Sequence, residues 1–161
     1  MSKIKPNTLK KTKILFVDQK NNLASQLAEH YAKQMYADDY DVYSAGPESD
    51  IVDCDLLAVM YVAGEDLRDG VSKTFGSEGL PKNFDVVVYL QKSTYDECAS
   101  KTAWQGKQIL ADMGTREDAQ CKDDSELSQY LIGLAEKVST WVENNLEDPS
   151  ALIKKVVETN Q

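Results

Sequence analysis

Ile14, Leu15, Phe16 and Val17 form an unbroken apolar run that gives way to the polar stretch Asp18 to Asn22. Beyond it Leu23, Ala24, Leu27, Ala28, Tyr31, Ala32 and Met35 recur at steps of three and four. The first pattern suits a strand buried on both faces; the second is one broad face of an amphipathic helix, with Asn21 or Asn22 as its cap. The alternation continues. Val42 and Tyr43 lie in a second strand closed by Gly46, and a helix over residues 53–63 stops at Gly64. Residues 64–83 are polar and glycine-bearing and read as a long loop. The stretch FDVVVYL, residues 84–90, is the clearest strand, β-branched and apolar at its centre. A short helix near residues 94–100 and a strand near 108–111 follow. The last long pattern predicts a helix over residues 123–146, with Asp123 and Glu126 as a capping box and Leu127, Tyr130, Leu131, Leu134, Val138, Trp141 and Val142 along one face.

Strands and helices in this order predict a three-layer α/β/α domain around a four-stranded parallel sheet. Such sheets place ligands at the carboxyl ends of their strands, which here means the loops after residues 17, 90 and 111. A chain of 161 residues suits one domain. Three segments are expected: a flexible basic arm over 1–12, the α/β domain over 13–146 and an extra C-terminal helix over 147–161.

Charge and cysteine content narrow the function classes. Residues 1–20 hold six lysines and one aspartate, a balance of +5 within a whole-chain charge of −9, so the remainder carries −14. An acidic body repels nucleic acid and anionic membrane, and neither is an expected partner. Cys54, Cys98 and Cys121 form no C-x-x-C pair, which argues against a zinc site or disulfide framework and for a reducing, cytoplasmic setting. No metal and no cofactor is expected.

The stretches KILFVDQKNNLASQLAEHYAK, YDVYSAG, VDCDLLAVMYVAGEDLRDGVSKTF, FDVVVYL and QILADMG occur in an order and spacing that resemble the low-molecular-weight protein tyrosine phosphatase superfamily, and within it the thioredoxin-coupled arsenate reductase branch. The resemblance implies that residues 18–25 (Asp18, Gln19, Lys20, Asn21, Asn22, Leu23, Ala24, Ser25) correspond to the family's phosphate loop. It further implies that Asp18 stands where the family has its nucleophilic cysteine, Ala24 where it has its arginine, and Thr115 with Arg116 where it has its Asp-Pro acid pair. Ser25 and Asn21 match the family. Asp112 matches an acidic residue just before the pair. Cys98 falls near the last cysteine of the arsenate reductase relay, and Gln91 near the middle one. On that correspondence the expectation is a catalytically inactive relative kept as a binding or regulatory module for an unknown protein partner. The alternative expectation is a phosphoester hydrolase with Asp18 as nucleophile.

Asp18 thus admits three roles: internal substitute for bound phosphate with Lys20 balancing its charge, nucleophile forming an aspartyl-phosphate, or part of a cation site with Asp112 or Asp118. His30 is expected on the surface, Trp141 in the core, and Trp104 in a loop as a contact residue. After Leu146, Asp148 and Pro149 start a short helix whose Leu152, Ile153, Val156 and Val157 must be covered. It either packs on its own domain or meets a second copy, and a homodimer contact is the favoured expectation.

Overall fold

The computed structural model describes residues 10–161. Four parallel strands, β1 (Thr12–Val17), β2 (Tyr40–Ala45), β3 (Val86–Tyr89) and β4 (Gln108–Leu110), lie side by side in the order β2-β1-β3-β4. β1 is central, pairing Ile14 with Val42 on one side and with Val86 on the other. The helices are α1 (Ala24–Tyr36), α2 (Cys54–Val62), α3 (Lys92–Cys98), α4 (Arg116–Ala119), α5 (Asp124–Leu146) and α6 (Pro149–Thr159). Chain direction from β1 reverses between β2 and β3, so the carboxyl ends of β1 and β3 form a topological switch point.

Because side chains alternate across a strand, β1 and β3 each feed two cores. Ile14, Phe16, Val86 and Val88 pack with α1, α2, α5 and α6, while Leu15, Val17, Val87 and Tyr89 pack with Phe84, Cys98 and Trp104 on the other face. This is the three-layer arrangement expected from the alternating pattern.

Several local expectations change. Asn21 and Asn22 do not cap α1 with their side chains: the N-cap position is Leu23, which has no side chain able to cap. Asp123 caps α5 by accepting the Glu126 N–H at 2.8 Å, but the Glu126 carboxylate accepts from the Lys122 N–H, so the reciprocal box is not closed there. It closes instead at α4, between Thr115 and Asp118, on a four-residue helix too short to leave a periodic pattern. Trp104 is not a surface contact residue: it is 7% exposed, in edge contact with Phe75 and Phe84, with its indole N–H donated to the Lys82 carbonyl. Trp141 sits against the edge of Phe16 at the rim of the other core.

The C-terminal helix packs on its own domain. Leu152 and Val156 of α6 are buried with Leu146, and the Asn160 side-chain amide donates to the Gln108 carbonyl on edge strand β4. Of the apolar face that motivated a homodimer contact, Leu152 and Val156 are covered within one chain, while Ile153 and Val157 remain exposed. Of the basic arm expected over 1–12, residues 1–9 lie outside the described residues and Thr12 already belongs to β1. Among the described residues no helix is long and apolar enough to cross a membrane.

Candidate functional site

The chain leaves the carboxyl end of β1 at Val17 and turns through Asp18–Leu23 into α1. The first N–H groups of a helix have no intrahelical acceptor, and the helix dipole makes that end favourable for negative charge. In this protein the acceptor is Asp18. Its carboxylate is fully buried, with Oδ2 accepting the Ser25 N–H at 2.8 Å and the Leu23 N–H at 3.2 Å, and Oδ1 accepting the Asn22 N–H at 3.2 Å. The capping role expected of an asparagine is thus performed from four to seven residues upstream.

The rest of the loop is held by side chains from four directions. Asn21 takes a left-handed backbone, φ 48°, which asparagine tolerates better than most residues. Its amide donates to Ser25 Oγ at 2.8 Å, and its Oδ1 accepts the Lys73 N–H at 2.8 Å. The Gln19 N–H donates to Gln91 Oε1 at 2.9 Å, just beyond β3, and Gln19 Oε1 accepts from Thr94 at 2.8 Å. The Gln19 amide also donates to Glu48 at 2.8 Å. Beneath the turn, Gly46 is so close that a Cβ there would lie 2.3 Å from the Asp18 carbonyl oxygen. Lys20 does not balance Asp18: its ammonium faces Asp50 at 3.9 Å and is half exposed.

The second loop meets the first through α2. Arg116 binds Asp53 through Nη1 and Asp55 through Nη2, the latter at 2.7 Å. The Asp55 carboxylate first, and then Asp53, push the guanidinium pKa above its already high value. Asp53 caps α2 with its side chain and donates its own N–H to the Asn22 carbonyl at 2.9 Å. Arg116 is therefore two hydrogen-bonded residues away from the Asp18 carboxylate. Asp112 and Asp118 do not join it. Asp112 accepts the N–H groups of Lys92 and Gly114, and Asp118 accepts that of Thr115. Among the described residues no group of three or more His, Cys, Asp or Glu side chains is placed to hold a metal ion.

His30 pairs with Glu65 at 2.9 Å on the outer side of α1, away from the loop, and its hydrogen bond draws the Glu65 carboxyl below the usual range. Cys98 is buried, and burial followed by the neighbouring Glu97 raises its thiol pKa. Thiolate is the reactive form, so Cys98 is a poor nucleophile in the native state. A thiol reagent at neutral pH is expected to label exposed Cys54 in the folded protein and to reach Cys98 only on unfolding. Peptide mapping reads this directly, and native labelling of Cys98 at the rate of Cys54 would contradict it.

Two residues shape the site in roles that the sequence did not suggest: Gly46, expected only to close a strand, as a close-approach residue, and Gln91, expected only near a relay-cysteine position, as the acceptor for the Gln19 N–H. Both lie at the carboxyl ends of strands, which is the signal that could have singled them out.

A family model described as low molecular weight phosphotyrosine protein phosphatase matches residues 13–156. An arsenate reductase of Staphylococcus aureus (strain Newman) is 37% identical over 91 residues, covering 56% of this chain and 68% of the relative. An arsenate reductase of Bacillus subtilis (strain 168) is 35% identical over 85 residues, 53% of this chain and 60% of the relative. The solved structure of an arsenate reductase in the phosphate binding state superposes with a TM-score of 0.61 at 28% identity, covering 90% of this chain and 98% of that one. These relatives are named as enzymes, which overturns the expectation of a catalytically inactive pseudoenzyme kept as a binding or regulatory module. That expectation weighed single side chains along a linear motif. Catalysis depends on groups assembled in space, and the strand–loop–helix with its converging N–H donors is fully built here.

Proposed function

Because the chain belongs to the low molecular weight phosphotyrosine protein phosphatase family, we propose that it is a phosphoester hydrolase working at the β1–α1 loop, with the Asp18 carboxylate as the group that meets phosphorus. The observation that carries this reading is the position of that carboxylate. It lies at the carboxyl end of the central strand, among the N–H groups of Asn22, Leu23 and Ser25. In the proposed reaction a carboxylate oxygen attacks phosphorus while the bond from phosphorus to the ester oxygen breaks, and the leaving oxygen takes a proton from water. Water then attacks the aspartyl-phosphate, releasing inorganic phosphate and restoring the carboxylate. The N–H groups stabilise charge on the non-bridging oxygens once the carboxylate has turned toward the substrate. Ser25, whose Oγ accepts from Asn21, retains its own proton to donate into the site.

This reading places Asp18 at the position of the family's cysteine, Ala24 at that of its arginine and Thr115 at that of its acid. It is preferred over arsenate reduction on electron balance. Reducing arsenate takes two electrons from thiols, whereas residues 18–25 contain no cysteine and Cys98 is buried in its less reactive form. A carboxylate carries out ester hydrolysis without any change of oxidation state.

The test is hydrolysis of an aryl phosphate and of a phosphotyrosine peptide between pH 5 and 8, with and without Mg²⁺, by the wild type and by Asp18→Asn. Asparagine keeps the shape and one acceptor oxygen while removing the nucleophile. Turnover by the wild type, falling at least about a thousandfold in the variant, is expected. Absence of wild-type turnover above blank, or equal turnover in both proteins, would overturn the proposal.

A further inference from the structure

The backbone donors of the cradle are matched to acceptors of the loop and its neighbours. Asp18 accepts from Asn22, Leu23 and Ser25, its carbonyl accepts from Asn21, and Gln91 accepts from Gln19. The carboxylate is not merely adjacent to the anion-favouring end of α1. It has no exposed surface and sits between that helix end and the 46–48 segment, where Gly46 closes on the turn and the Glu48 N–H donates to the Gln19 carbonyl. A free oxyanion meets two barriers at once. Its acceptor oxygens find the donors already used, and its charge faces a carboxylate that no cation pairs with among the described residues, since Lys20 is turned to Asp50 and Arg116 to Asp53 and Asp55.

We infer that Asp18 is a tethered competitor for its own oxyanion cradle: free oxyanions such as inorganic phosphate and arsenate are shut out while its carboxylate is seated. An oxyanion gains the three N–H donors only by displacing the carboxylate. The inference deepens the phosphoester hydrolase reading by assigning the control of access to the same residue. It concerns binding in the resting protein, and its test reads binding without turnover, so the two readings fail separately.

Inorganic phosphate is titrated into ¹⁵N-labelled wild type and Asp18→Ala, following the amide signals of Asn22, Leu23 and Ser25, with thermal unfolding in parallel. Wild-type amides are expected to stay in place at millimolar phosphate, with no thermal protection. In Asp18→Ala the same three amides are expected to shift saturably, with binding tighter by about tenfold to a thousandfold, as removal of a unit charge some 4 Å away implies. Phosphate is also expected to raise the variant's melting temperature. Saturable shifts of the three amides in the wild type at the variant's affinity would overturn the inference. So would a folded Asp18→Ala whose loop amides ignore phosphate. Should that variant not fold, Asp18→Ser takes its place, and the wild-type titration alone still decides against the inference if those amides respond.

Discussion

Gly46→Ala is expected to destabilise the protein by about 3 kcal/mol, at the upper end of the usual cost of overpacking. The reason is space rather than backbone conformation. A Cβ at this position would lie 2.3 Å from the Asp18 carbonyl oxygen and 3.0 Å from both the Asn21 nitrogen and the Gln19 carbonyl oxygen. All three neighbours are backbone, so no flexible side chain can swing away. Gly46 is itself fixed from behind, with its N–H donated to the Lys73 carbonyl at 2.9 Å and its backbone bridged to Thr74. Either the 18–21 turn or the end of β2 has to move. Urea unfolding should show a lower midpoint with an unchanged m-value, and the Asp18–Ser25 amide signals should shift more than those of α5. Gly133→Ala is the matched control: a Cβ there meets nothing within 4 Å, and the residue lies inside α5, where alanine favours the helix. A Gly46→Ala protein as stable as the wild type would mean that the loop is softer than its contacts indicate.

Asp18→Leu is expected to cost on the order of 3 kcal/mol or more, because each buried donor left without an acceptor costs about 1–3 kcal/mol. Leucine has nearly the shape of aspartate but accepts nothing, so the N–H groups of Asn22, Leu23 and Ser25 lose their partner, the last two of them at buried residues. Alanine behaves differently, since the space it leaves admits water or a free anion to those same donors. The stability order wild type, Asp18→Ala, Asp18→Leu in phosphate buffer therefore reports on the cradle itself. Equal unfolding midpoints for wild type and Asp18→Leu would show that the three hydrogen bonds contribute little to the fold.

Much of the architecture was legible because periodicity is a local property. The apolar run at residues 14–17, FDVVVYL and the long stripe from Leu127 to Val142 each identify their own element, and their order implies a parallel sheet. The element ends were less legible. The strand expected over 84–90 pairs only from Val86 to Tyr89, and the two asparagines offered as the cap of α1 leave that work to Asp18. At the site, Asp18 and its loop neighbours were named from sequence, whereas Gly46, Gln91 and Asp53 were read only as a strand end, a relay-cysteine position and a helix start, because their contributions are contacts with residues far along the chain. Reading inactivity from the residue types at positions 18, 24 and 115 failed for the same reason: a list of side chains does not report what the assembled loop does.

The sequence by itself determined the layering and pointed to the loops at the carboxyl edge of the sheet as the candidate site. Patterning dictates which residues must be buried, and chain connectivity restricts how strands so patterned can pair. Only the tertiary structure decided that the Asp18 carboxylate turns into the α1 cradle, that Arg116 closes on Asp53 and Asp55, and that α6 lies on its own domain. Each of those outcomes is a choice among partners: a buried carboxylate takes the nearest unsatisfied donors, a guanidinium the nearest carboxylates, and an apolar helix face the nearest uncovered core. Which partner is nearest is set by the folded chain as a whole.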